Sequence, residues 1–322
     1  MIVLGCLLSF ALCVVLVPPV IGLAWQIGAV DVPRDWRRMH FQAIPRAGGI
    51  AVFAAFAVSA LVAAPHSVFL ISLLCGGALM MAVGLADDMF CLPAFFKLLF
   101  QFAAATACVI ASGIASERSF LWAILWVVLL TNAHNFIDGL DGLLSGCATI
   151  EGIALGVAYL MGSGGASLAT LSLLLAASCL GFRCFNRYPA RIFAGDCGSG
   201  TVGFLLGMLS LPMLVSGENV FVCLSPFLVF AYPLTDLFTA VTRRILRGKS
   251  PFAADRAHLH HRICAVGLAH PQCVGVLLLI SASLGVIGVL LAARVYLLFP
   301  SLACLASALL LIWLRRAIID FR

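Results

Sequence analysis

Residues 120–142 read Phe120-Leu-Trp-Ala-Ile-Leu-Trp-Val-Val-Leu-Leu-Thr-Asn132-Ala-His134-Asn135-Phe-Ile-Asp138-Gly139-Leu-Asp141-Gly142. The run 120–136 is predominantly apolar and long enough to cross a bilayer as a helix, for which about 17–25 residues are needed. Its end has another character: amides, an imidazole and carboxylates, followed by glycines. The stretch therefore reads as a membrane helix that delivers polar groups to one face of the membrane.

Working outward, similar runs fall near 2–24, 47–64, 67–86, 95–113, 143–161, 167–184, 200–216, 220–241, 273–293 and 295–314, making eleven expected spans. The whole chain is 63% hydrophobic and 10% charged. A soluble domain is about half apolar and about a quarter charged, so a water-soluble fold is excluded. Lipid offers the backbone no hydrogen-bond partners, and the runs are continuous rather than alternating, so the spans are helices and not barrel strands. The expected fold is all-α: one integral-membrane domain over residues 1–322, a bundle of about eleven transmembrane helices. Met1 leads straight into an apolar run without a basic segment, so no cleavable leader is expected. Most of the thirteen cysteines sit singly in apolar runs, as Cys6, Cys75, Cys108, Cys179 and Cys304 do, and read as small packing residues.

Basic residues set the expected orientation. Loops after alternate spans, with the C-terminus, hold seventeen of the nineteen lysines and arginines, while the other side holds only Arg118 and Arg294. The N-terminus is thus expected outside and the C-terminus in the cytoplasm. All ten aspartates lie on or near the same cytoplasmic side, whereas Glu117 and Glu218 fall in outer turns and Glu151 lies inside a span. The chemistry is expected at the cytoplasmic surface, with Glu151 a structural residue that pairs with a polar neighbour.

Four polar constellations stand on that side. Asp87-Asp88 closes the third span, where two adjacent carboxylates oppose the helix dipole and repel each other. Interfacial acids can simply be hydrated, but a membrane boundary seldom accepts such charge without a role. In the quoted stretch Asn132, Asn135, Asp138 and Asp141 recur every third residue and share a broad face. Amides and carboxylates suit a base edge and ribose hydroxyls; a capping run with an Asp-Gly turn would explain one aspartate only. Asn186 to Gly200 places Asp196 between Gly195 and Gly198 at the mouth of a span. Helix N-terminal amides favour phosphate, and an aspartate beside phosphate is a usual way to hold Mg²⁺. The longest loop carries Asp255-Arg256-Ala-His258-Leu-His260-His261 behind a run of arginines. His258 and His260 cannot share a helical face as a zinc pair would, and histidines amid arginines fit phosphate oxygens better. Anionic lipid alone would explain the arginines but not the histidines.

Together these segments resemble the polyprenyl-phosphate N-acetylhexosamine-1-phosphate transferases along nearly the whole chain. The resemblance rests on Asp31-Val-Pro, Arg37-Arg38-Met-His40 and Pro45 to Gly49, on Asp87-Asp88, on Asn132 to Gly142, on Asn186 to Ser199, and on Pro251 to His261. The His-Leu-His-His form is similar to the undecaprenyl-phosphate N-acetylglucosaminyl-1-phosphate transferase branch, which starts O-antigen, enterobacterial common antigen or teichoic acid linkage units. Arg38 stands where the family usually has lysine, and Ala194 where a larger apolar residue is common.

The resemblance implies a UDP-N-acetylhexosamine donor, an undecaprenyl phosphate acceptor, Mg²⁺ or Mn²⁺ as cofactor, and the bacterial inner membrane as location. No nucleic acid is expected as a partner, and a homodimer is compatible. It implies Asp87, Asp88, Asp138 and Asp196 as catalytic residues, with Asp196 and Asp138 on the metal. Asn132, Asn135, Asp141, Asn186 and Phe193 would line the nucleotide site, and Arg256, His258, His260 and His261 would bind phosphate. A transporter would need acids at mid-depth and usually repeats, and neither pattern is evident. A scaffold would not need the aspartate motifs.

Overall fold

The computed structural model describes residues 1–32, 43–163, 165–217, 219–248, 250, 263–264 and 268–295. The Arg34–His40 and Pro251–His261 motifs, with Arg256, His258, His260 and His261, lie outside the described residues, as does nearly all of the expected span 295–314. The helices are α1 (Ile2–Ile27), α2 (Gly48–Ala63), α3 (Val68–Phe90), α4 (Ala94–Ser112), α5 (Phe120–Ile137), α6 (Leu143–Ala158), α7 (Ala166–Asn186), α8 (Gly195–Val215), α9 (Val220–Val229), α10 (Ala231–Leu246) and α11 (His270–Ala292).

Among the described residues eight helices are long and apolar enough to cross a membrane, and nine if α9 and α10 form one bent span. Two expected spans take a different form. α2 has 16 residues, about 24 Å of rise, which is short for a bilayer core. The run expected at 220–241 breaks by 70° into α9 and α10. Pro233 falls just after the bend, and because it has no N–H to offer the carbonyl of Val229 it removes one rung of the ladder there.

α8 is the buried centre, packed on α3, α5 and α2. α6 packs instead on α7 and α11, and α1 on α7 and α2. Hydrogen bonds stitch these helices across apolar interfaces. Trp126 Nε1 donates to Ser210 Oγ at 2.9 Å, Ser9 Oγ to the Leu174 carbonyl at 2.8 Å, and Ser225 Oγ to the Gly288 carbonyl at 2.8 Å. In lipid such bonds and small-residue packing replace the hydrophobic drive. All twelve described cysteines are free, six of them buried, as packing residues should be.

Irregular backbone gathers at one end of the bundle. A two-stranded antiparallel ribbon pairs Val30 with Pro45 and Asp31 with Ile44. Arg46 then bridges to Phe193, whose N–H donates to the Pro45 carbonyl at 2.8 Å and whose carbonyl accepts from Gly48 at 3.0 Å. The ribbon thereby carries Arg46 to the start of α8.

Candidate active site

The C-terminus of α3, the start of α4, the end of α5 and the N-terminus of α8 meet at this end. Gly84, one turn before Asp88, has no side chain, and the backbone of Asp196 and Cys197 occupies the space a Cβ would take. Gly195 opens α8 with φ of 73°, a left-handed conformation that glycine adopts without strain. These two features bring the α8 N-terminus onto the Asp87-Asp88 pair.

The two neighbouring aspartates then face different partners. Asp88 has a fully buried side chain and accepts from the backbone N–H of Asp196 at 2.9 Å and of Cys197 at 3.0 Å. It caps α8 from another helix, where a negative charge also suits the helix dipole. Arg46 lies 3.2 Å from it and 3.7 Å from Asp196. Asp87 turns toward α4: it accepts from the Leu92 N–H at 2.6 Å and from Lys97 Nζ at 2.7 Å. Lys97 Nζ also reaches Asp196 at 2.8 Å, so one ammonium lies between the two carboxylates.

Asp138 caps the end of α5 and interacts electrostatically with Asp196, Arg46 and Asp88. Burial, then the negative charge of Asp196, pushes its carboxyl up to about 7, against the pull of Arg46. Burial opposes the charge of Arg46, yet Asp88, Asp196, Asp138 and Asp87 hold its guanidinium more firmly protonated than usual. Among the described residues, four carboxylates thus meet two cations. Fully ionised, the cluster carries a net deficit of two positive charges, the charge of one divalent ion.

The donor set tests that ion. It is all oxygen, which suits Mg²⁺ or Mn²⁺ rather than zinc. Among the described residues no three carboxylate, imidazole or thiol groups form a ready-made cage. Mg²⁺ is usually bound by one or two carboxylates, with waters and substrate phosphates completing the shell, so Asp196 and Asp138 fit it.

The other expected contacts divide. Asn135 and Phe193 are partly exposed near the cluster. Asn132, expected against the nucleoside, donates to Gln101 Oε1 at 2.6 Å and to the Val128 carbonyl at 2.8 Å. Asn186, also expected there, faces inward with 3% exposure. Its Oδ1 accepts from Gly142 N at 3.1 Å and Ser145 Oγ at 2.9 Å, and its Nδ2 donates to the Ile192 carbonyl at 2.9 Å. It braces the two motif loops, helped by Arg183, which donates to the Gly142 carbonyl. Asp141 Oδ2 accepts from Ala190 N at 2.9 Å in the same brace, and its own N–H meets His270 Nε2 at 3.3 Å. Lys97 and Arg46 enter the site without having been singled out from the sequence. The signal for Lys97 was a lone charge in an apolar helix.

Comparison with known proteins gives this geometry its relatives. Residues 70–214 match the description glycosyl transferase family 4. The chain is 35% identical over 295 residues to a probable undecaprenyl-phosphate N-acetylglucosaminyl 1-phosphate transferase of Bacillus subtilis, covering 87% of this chain and 82% of that one. It is 35% identical to a decaprenyl-phosphate N-acetylglucosaminephosphotransferase of Mycobacterium tuberculosis, over 80% of this chain and 74% of that one. It is 30% identical to the undecaprenyl-phosphate alpha-N-acetylglucosaminyl 1-phosphate transferase of Escherichia coli, over 83% and 78% of the two chains. Similarity of this extent, carried through α3, α5 and α8 where the aspartates stand, places the chain in glycosyl transferase family 4.

Proposed function

We propose that this membrane protein transfers N-acetylhexosamine 1-phosphate, with N-acetylglucosamine 1-phosphate the first choice, from a UDP-sugar to undecaprenyl phosphate, releasing UMP. The reaction would start a cell-surface glycan such as O-antigen. It would run at the cytoplasmic face of the inner membrane, in a bundle of about eleven spans in which α2, the α9–α10 pair and the run 295–314 are counted with the eight long helices. The observation that carries this reading is the convergence of Asp87, Asp88, Asp138 and Asp196 with Lys97 and Arg46 at one end of the bundle. The names of the relatives support the prenyl phosphate and the sugar.

An oxygen of the lipid phosphate attacks the sugar-bearing phosphorus of the donor. The bond from that phosphorus to the bridging oxygen breaks, and UMP leaves with the bridging oxygen. Such transfer needs positioning and charge neutralisation more than covalent help from the protein. Mg²⁺, held by Asp196 and Asp138, would supply positive charge to the diphosphate. Asp88 is committed to the α8 amides, so Asp87 is the better placed of the pair to take a proton from the lipid phosphate. Lys97, already between Asp87 and Asp196, lies where it can neutralise a phosphate oxygen. Asn132, Asn135, Asp141, Asn186 and Phe193 are the candidates for the nucleoside, with His258, His260, His261 and Arg256 for phosphate.

Membranes carrying the protein, incubated with Mg²⁺, undecaprenyl phosphate and a panel of UDP-N-acetyl sugars, should form one lipid-linked sugar diphosphate, identified by mass spectrometry. Exchange of labelled UMP into the UDP-sugar without lipid acceptor would overturn direct attack in favour of a covalent intermediate.

A further inference from the structure

The interior holds a second acid–base contact that the reaction scheme does not use. His134 and Glu151 are fully buried, and His134 Nε2 lies 2.7 Å from Glu151 Oε2. His134 Nδ1 lies 2.8 Å from the Leu130 carbonyl. A carbonyl only accepts, so Nδ1 carries a proton. One further proton lies on the bond to Glu151, as imidazolium with carboxylate or as imidazole with carboxylic acid. In both arrangements the pair is neutral overall and directional.

Its place in the fold is the informative part. α5 packs with α4, α8 and α10, while α6 packs with α7 and α11. α5 and α6 share few contacts of their own. α6 also touches α8, more lightly than it touches α7 and α11, so the turn Asp138–Gly142 joins two layers that meet at α8. His134 stands one helical turn before Asp138, on the same face of α5. A Cβ on Gly203 would lie 3.0 Å from His134 Cβ, so α8 rests against α5 at this level, about two turns below Asp196. Phe230 closes the remaining side, edge-on with ring centroids 6.0 Å apart. The bond to Glu151 thus pins α6 to the point where the helices carrying Asp138 and Asp196 cross.

We propose that His134 and Glu151 form a positioning pair that fixes Asp138 relative to Asp196. This rests on the reading above, in which those two aspartates hold the divalent ion. Groups that orient metal ligands typically contribute about 10–100-fold to affinity. The pair differs from a merely stabilising contact in one testable way. Two leucines would fill the space without a buried charge, and such replacement is often neutral or stabilising. They would not reproduce the directional bond. Glutamine at 151 would: its amide donates to Nε2 of a neutral His134 that keeps its Nδ1 proton on Leu130.

The test uses purified protein in nanodiscs, with Mn²⁺ affinity read by electron paramagnetic resonance, alongside kcat, KM for UDP-N-acetylglucosamine and the unfolding midpoint. His134→Leu/Glu151→Leu is expected to unfold at or above the wild-type temperature yet lose at least about tenfold in Mn²⁺ affinity. Glu151→Leu alone should show the same loss in its folded fraction, which keeps the test open if the double variant does not fold. Glu151→Gln should restore the affinity. Wild-type Mn²⁺ affinity and kcat in the leucine variants, with Asp138→Asn impaired, would overturn the positioning role alone. Wild-type Mn²⁺ binding in Asp138→Asn would overturn the metal reading and the positioning role with it.

Discussion

Two of the places where the described residues set acids against bases are built on opposite principles. At the mouth, Asp87, Asp88, Asp138 and Asp196 outnumber Lys97 and Arg46, and several of these side chains keep some exposure. In the interior, Glu151 and His134 are matched one to one and closed off from solvent. A matched, closed pair balances its own charge, although Glu151 Oε1 is buried without a hydrogen-bond partner, and it is out of reach of anything that arrives from solvent. An unmatched, open cluster has charge left over for something that arrives. The difference teaches where to look for chemistry in a bundle with few charges: at the carboxylates whose neighbours do not balance them.

The comparison breaks most visibly at Asp196. Replacing it with asparagine removes charge from the centre of the open cluster, where Lys97 and Arg46 both reach. Loss of one electrostatic element at a reacting centre costs about 10²–10³ in kcat, and that is the expected fall in a turnover assay. Asp87→Asn should behave differently. The lipid monoester has a second pKa near 6, so a base matters less as pH rises. Partial recovery of Asp87→Asn at high pH, with none for Asp196→Asn, is the expected pattern; equal profiles would put both aspartates in one role.

Asp138 supplies a pH dependence of its own. Its carboxyl is raised to about 7 by burial and by Asp196. Between the ordinary aspartate range and that value the folded protein holds a proton that the unfolded chain lacks. The contribution of Asp138 to stability therefore falls as pH rises through this window. On the proposed metal reading ion binding would have the opposite slope, because an ion held by Asp138 would have to displace that proton. Apparent Mn²⁺ affinity should climb by up to about tenfold per pH unit below 7 and flatten above it. Asp138→Asn should remove the slope, and a slope that persists would assign the proton to another group.

Asp88 tests whether every carboxylate in the open cluster is spent on chemistry. As the cap of α8 it should cost stability when lost, about 0.5–2 kcal/mol for Asp88→Ala by the usual worth of an N-cap. Unfolding midpoints would show this. Asp87→Ala leaves the α8 amides capped and should shift the midpoint less.

Much of this contrast is legible in the residues, and the remainder fails for identifiable reasons. The aspartates announce themselves because charge beside a membrane is rare, and the isolation of Glu151 in an apolar run marks it as needing a partner. Asn132 and Asn186 mark what a sequence leaves open, because an amide that bonds a nucleoside and one that bonds Gln101 or Ile192 look alike there. Arg46 passes as a topology signal because loop position explains a basic residue before any contact is known, and Lys97 passes as one because it stands in the first turn of its span, beside the loop. The α9–α10 bend was readable at Pro233, but continuous apolarity across 220–241 outweighs one proline when spans are judged by hydropathy.

The smallest expected effect probes the closed pair. Glu151→Gln removes an ionisable group from the middle of the bundle, and a catalytic acid there would be lost with it. The geometry argues otherwise. His134 Nδ1 stays protonated on Leu130, so Nε2 is free to accept, and a carboxamide at 151 can donate to it across the same 2.7 Å. One hydrogen bond replaces another, at a cost below the roughly 1 kcal/mol of a typical net bond, which corresponds to less than about fivefold in any equilibrium it controls. Most of the turnover should remain. A loss as deep as that of Asp196→Asn would move Glu151 from the closed pair into the open cluster, and the distinction between the two regions would fall with it.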